Sequence, residues 1–141
     1  MNFPQSRLGL LGLALTLGAL IVLVGNAAMD FALGRMPLAD GTLGSIDALD
    51  VAVLHLVFTS MPFVVLALVG SKSRLLWTVA TLLTALFSAY FVWQIWRDSL
   101  AGFAGGANIG LGLIMLASPF AILIIVGIVA LILRGDVRPM D

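Results

Sequence analysis

The only histidine of the chain, His55, lies inside an apolar segment and is the first candidate for chemistry. A histidine paired with a carboxylate would be pH-sensitive near neutrality. Asp50 precedes His55 by five residues, and only side chains three or four residues apart meet on a helix. The sequence therefore leaves Asp30, across the predicted bundle, as the candidate partner, with Thr59 one turn from His55 on the same face. The alternative is an ordinary histidine about one turn below the membrane surface.

Other kinds of chemistry find little support in the residue types. There is no cysteine, and one histidine with scattered methionines is too few ligands for a metal site. Nucleophilic catalysis needs a base beside the nucleophile, and no acid is in register to orient His55. The seven acidic residues are all Asp and lie at the ends of apolar stretches or between them, so none is placed for ion coupling at the membrane midplane. We therefore predict no enzyme activity, no metal and no cofactor.

Two apolar stretches share a proline-containing motif. "PFVVLALVG" begins at Pro62 and "PFAILIIVG" at Pro119, with Pro, Phe, Val and Gly at the same spacing. The match has two interpretations. It is either an internal repeat of two tandem helical hairpins, or a chance match in a sequence rich in Leu, Ile and Val.

Each proline should also disturb its helix, because proline has no backbone N–H and tends to kink a helix. The carbonyl groups left without donors are those of Phe58 and Met115, and the hydroxyl groups of Thr59, Ser60 and Ser118 are placed to bond them. One interpretation is a broken-helix binding site of the kind that transporters have. The other, which we favour, is a kink that serves helix packing.

The elements that position these residues follow from composition. Hydrophobic residues make up 62% of the 141 residues and charged residues 10%, against roughly half and about a quarter in soluble domains. A span needs about 20 apolar residues, and four stretches have that length: 8–29, 51–69, 75–96 and 109–133. Backbone groups in lipid must bond within their own segment, which requires helices. The prediction is an all-α fold, in which residues 1–141 form one integral membrane domain with a four-transmembrane-helix bundle.

The distribution of basic residues predicts the orientation. One side holds Arg7, Lys72, Arg74, Arg134 and Arg138, and the opposite side holds Arg35 and Arg97. This bias places both termini in the cytoplasm, with Trp93 and Trp96 in an outer aromatic belt and Trp77 in an inner one. A cleaved signal peptide is the less favoured interpretation of the first stretch, since its apolar run is too long. Size and composition resemble the small four-helix inner-membrane proteins of bacteria, a resemblance that assigns no residue roles.

Small residues predict close helix packing. They are Ala14, Gly18 and Gly25 in the first helix, Gly106 and Gly110 at the start of the fourth, and a stripe of Thr78, Thr81, Ala85 and Ser88 in the third. Such residues let helix backbones approach each other, within one chain or between chains.

These observations predict a small non-catalytic polytopic membrane protein that acts through helix–helix association, as a homo-oligomer or as an accessory subunit of a membrane complex. Its partners would be the lipid bilayer and membrane helices; the balanced charge gives no reason to expect nucleic acid. The alternative is a small passive transporter or channel with proline-broken helices, for a substrate that the sequence does not identify. A polar stripe of Thr16, Thr59, Thr81 and Ser118 facing one lumen would favour that alternative.

Overall fold

The computed structural model describes residues 4, 6–32, 46–100 and 109–135, with the backbone only at 32, 46–52, 98–100, 109 and 134–135. Across these ranges the protein is all-helical, as the composition predicts. The four helices are α1 (Arg7–Ala32), α2 (Ile46–Leu68), α3 (Arg74–Leu100) and α4 (Ile109–Gly135).

Three helices are long and apolar enough to cross a membrane: α1 over Arg7–Phe31, α3 over Arg74–Arg97 and α4 over Gly110–Leu133. In α2 the apolar part over which side chains are described is shorter, Val53–Leu68.

The start of α2 differs from the apolar run predicted for it. The helix begins at Ile46, five residues before the predicted position 51. Aspartates near a helix N-terminus interact favourably with the helix dipole, so Asp47 and Asp50 interrupt the apolar run without ending the helix. His55 consequently lies nine residues after the first residue of α2, a rise of about 13 Å along the helix.

The helices pack around a core at one end of the molecule. Helix α1 packs against α2 and α3, while α4 packs against α3 and α2. The buried core residues are Leu10, Ala14, Phe63, Leu66, Ala67, Leu76, Trp77, Ala80, Ile122 and Val126. Most of them lie close to the turn between α2 and α3, so this turn is the point around which the helices are held together.

The turn itself is closed by backbone hydrogen bonds. Gly70 has a φ of 72°, a left-handed conformation that glycine adopts without steric cost. Its N–H donates to the carbonyl of Ala67 at 3.0 Å, and the N–H of Ser71 donates to that of Leu66 at 2.9 Å. This pair of bonds is the Schellman arrangement that ends a helix and reverses the chain.

Trp77 holds the turn from inside the protein. Its indole Nε1–H donates to the carbonyl of Ser71 at 2.9 Å, and its ring stacks on Phe63 with centroids 6.2 Å apart. The Trp77 side chain is only 3% exposed, so its predicted place in a lipid-facing aromatic belt is wrong. Trp93 and Trp96, by contrast, are 49% and 41% exposed.

Candidate functional site

The small residues of α1 are in contact with neighbouring helices of the same chain. Ala14 is fully buried. A Cβ added at Gly18 would overlap the hydroxyl of Ser60 in α2 and lie 3.1 Å from the Ser60 Cα. A Cβ at Gly25 would lie 2.7 Å from the Oγ of Ser88 in α3. At Ala14, Gly18 and Gly25 this face of α1 therefore serves packing inside the chain.

No close packing of this kind is seen at the described glycine near the start of α4. Gly110 is exposed, and Gly106 lies outside the described residues.

A large apolar groove runs between α1 and α3, with a volume of about 570 Å³. We call it the α1/α3 groove, and its small-residue walls are Gly25 and Ala28 on one side and Ala85, Ser88 and Ala89 on the other. Trp93 and Trp96 line it towards the end of α3. The third-helix stripe predicted from the sequence thus faces the groove through three of its members, Thr81, Ala85 and Ser88.

A second, smaller cavity of about 30 Å³ lies among α2, α3 and α4. We call it the polar cavity, and its polar lining residues are His55, Thr59, Thr84, Ser88 and Ser118. It brings His55 and Thr59 of α2 together with Ser118 of α4, three residues that the sequence analysis selected for separate reasons.

Asp30 is not among the residues that line the polar cavity. Its side chain is 9% exposed and has an interaction of its own. In the part of the chain that the structure describes, no hydrogen bond or ion pair joins Asp30 to His55. The structure therefore places His55 with hydroxyl groups and not with the carboxylate considered from the sequence.

In α4, the carbonyl that Pro119 leaves without its usual donor has another hydrogen-bond donor. Pro119 is fully buried within a continuous helix. The hydroxyl of Ser118 donates to the carbonyl of Met115 at 2.8 Å. Met115 is the residue whose carbonyl would otherwise bond the N–H that proline lacks, so one local hydrogen bond compensates for the break.

The proline of α2 is surrounded differently. Pro62 is also fully buried, but the Ser60 hydroxyl is buried without a hydrogen-bond partner among the described residues. Ser60 therefore does not bond the carbonyl of Phe58, as its position suggested, because its side chain lies against Gly18 of α1.

The hydroxyl groups proposed as one polar stripe do not face one lumen. Thr16 is exposed and donates to the carbonyl of Gly12 at 2.8 Å. Thr81 donates to the carbonyl of Trp77 at 2.8 Å and lines the α1/α3 groove. Thr59 and Ser118 face the polar cavity instead, so the stripe is divided among three environments.

Thr84 is the lining residue that sequence reasoning missed. It is buried, donates to the carbonyl of Ala80 at 2.8 Å, and lies in the polar cavity. Thr84 lies four residues before Ser88, so the two share one face of α3. This spacing could have identified Thr84 from the sequence.

Comparisons with known proteins and the search for metal ligands add no assignment. The chain matches no protein family, no characterised protein and no solved structure. Over the described ranges, no three His, Cys, Asp or Glu side chains are grouped so that they could hold a metal ion. The groove and the cavity are therefore the features of the molecule that bear on its function.

Proposed function

We propose that this protein is a non-catalytic multi-pass membrane protein that acts by binding a transmembrane helix in the α1/α3 groove. The observation that carries the proposal is the groove itself, an apolar recess of about 570 Å³ with small residues on both walls. Helices associate in lipid through close packing at small residues, which this groove offers to a partner.

The chemistry of the groove favours an apolar helix over a polar solute. Among the described lining residues only Thr81 and Ser88 bear a hydroxyl, and the Thr81 hydroxyl already donates to its own helix. Arg97, the nearest charge along α3, lies with its guanidinium carbon 5.4 Å from the centre of the Trp93 ring. A polar solute would find few groups to bond, whereas a helix needs only a matching shape.

The membrane arrangement belongs to the same proposal. Four helices cross the bilayer with both termini in the cytoplasm, in the inner membrane of a bacterium. The 23 residues of α2 are enough for a span, and the basic-residue bias supports the orientation. Contacts of α1 with α2, and of α3 with α4, support two helical hairpins. The partner is a second copy in a homo-oligomer, or a helix of a complex in which this chain is an accessory subunit.

The decisive experiment is the mass of the protein after gentle extraction, with identification of any co-eluting chain. Wild-type protein should elute as a homo-oligomer or with a second polypeptide in fixed ratio. The variant Ala85→Leu should lose the partner, because a larger side chain occupies the groove. Ala117→Leu is the matched control, since Ala117 is exposed on α4 and lies away from the groove. A wild-type monomer without a partner contradicts the proposal.

A small passive transporter or channel is the second candidate, and the polar cavity beside Pro119 is the observation in its favour. The division of the hydroxyl groups among separate environments counts against it. The test is solute flux into liposomes that contain the purified protein. Flux that changes in Pro119→Ala would support a transporter or channel and contradict helix association as the function.

A further inference from the structure

We propose that the polar cavity is a water-binding site that links His55 of α2 to Ser118 of α4 and Thr84 of α3. The inference is independent of the helix-binding proposal, since the polar cavity and the α1/α3 groove share only Ser88. A bound water needs about 10–15 Å³ of accessible volume and two to four polar partners. The cavity, at about 30 Å³, has room for one or two water molecules.

The lining is rich in hydrogen-bond acceptors. Thr84 and Ser118 each donate their hydroxyl proton to a carbonyl of their own helix at 2.8 Å. Their oxygens therefore offer only lone pairs to the cavity. Phe58 also lines the cavity, and its carbonyl lacks the usual helical donor, the N–H four residues later, because that residue is Pro62. A ligand that fits this site must donate hydrogen bonds.

The same cavity contains groups that can complete the water's bonding. His55 and Thr59 line it, and neither side chain forms a hydrogen bond with another described residue. A neutral imidazole carries one donor and one acceptor, and a threonine hydroxyl can act as either. A water molecule can donate to the hydroxyl oxygens of Thr84 and Ser118 and accept a hydrogen bond from His55 or Thr59. It would then have three polar partners, within the two to four that a bound water needs.

A metal cation or an ammonium ion fits the cavity less well than water. Among the lining residues whose side chains the structure describes, none is an acid, a lysine or an arginine, and His55 is the only titratable one. A cation would therefore have no counter-charge there, and an uncompensated charge in apolar surroundings is strongly disfavoured. A neutral donor of water size is the ligand that the chemistry selects.

Water-to-protein magnetisation transfer in NMR tests the site directly. The full chain, labelled with ¹⁵N-histidine and reconstituted in lipid nanodiscs, gives imidazole signals from one residue only, because His55 is the only histidine. We expect transfer from water to the His55 ring, and a fall of about twofold in Thr84→Val, since a buried water forms only about three hydrogen bonds. Ser118→Ala should have the same effect and serves if Thr84→Val does not fold.

Thr81→Val is the matched control. Thr81 lies in the same helix and forms the same 2.8 Å bond to its own backbone, but it faces the α1/α3 groove. Its substitution should leave the transfer unchanged. No transfer in the wild type, or equal transfer in all variants, would show a dry cavity or contact with bulk water and overturn the proposal. A His55 shift that appears when choline chloride is replaced by sodium chloride would identify a cation and also overturn it.

Discussion

Gly18 is the residue at which α1 and α2 approach each other most closely among the glycines described. An added Cβ would lie 2.9 Å from the Ser60 Cβ and 3.1 Å from its Cα. Rotation of the Ser60 side chain moves neither atom, so the close contact could be relieved only by a shift of the backbone. The close approach also explains the buried Ser60 hydroxyl, which is enclosed where α1 meets α2. Gly12 of the same helix has nothing within 4 Å of its position for a Cβ.

We expect Gly18→Ala to lower the free energy of unfolding by about 1–3 kcal/mol, the usual cost of overpacking. Gly12→Ala, as the control, should be neutral or slightly stabilising, because alanine favours a helix more than glycine does. Reversible denaturant unfolding in detergent micelles measures both. Equal stability of the two variants would show that α1 and α2 are not in close contact at Gly18.

At the scale of elements, the α2–α3 turn illustrates how a few local bonds position two helices. Gly70 reverses the chain, and Trp77 then returns from the first turn of α3 to bond the carbonyl of Ser71. The stacked ring of Phe63 completes the contact. The helices α2 and α3 are thus held as antiparallel neighbours by residues near their shared end.

We expect Trp77→Phe to destabilise the protein by about 1–2 kcal/mol, because it removes one hydrogen bond and part of a buried ring. Trp93→Phe is the control, because it makes the same substitution at an exposed position, and it should change stability little. Thermal unfolding of the two variants in micelles makes the comparison. A Trp93 variant as destabilised as the Trp77 variant would contradict this account of the turn.

At the scale of the whole molecule, the surface is apolar and the core is small. Exposed side chains include Leu8, Val24, Phe31, Leu86, Ile124 and Leu131, all more than 60% exposed. Water-soluble proteins seldom expose large continuous apolar surfaces. Lipid is the solvent that suits this exterior, and helix α4, the most apolar of the three candidate spans, is also the least buried.

The orientation proposed for this molecule can be tested by cysteine labelling, because the chain has no native cysteine. With both termini cytoplasmic, Ser71→Cys should react with a membrane-impermeant maleimide only after cells are permeabilised. Gly41→Cys, between the first two helices, should react in spheroplasts with an intact inner membrane. The reverse pattern would invert the orientation.

The features that could be predicted from the sequence were local ones. Length and hydropathy predicted four helices and a lipid environment, and the spacing of Ser118, Pro119 and Met115 within one helix pointed to the hydrogen bond that compensates for the proline. The helix ends were less accurate where hydropathy alone placed them. The apolar run put the start of α2 at 51, whereas the helix extends from Ile46, because Asp47 and Asp50 interrupt the apolar run but suit the N-terminal turns of a helix.

Contacts between side chains of different helices could not be predicted and became known from the assembled fold. His55 lines a cavity with Thr84 and Ser118, Ser60 lies against Gly18, and Trp77 is buried in the core. The physical reason lies in the apolar character of these helices. An amphipathic helix shows its inner face as a stripe in the sequence, whereas a helix that is apolar on every side does not. Rotation and crossing of such helices depend on small differences in packing, which become visible only when all four are assembled.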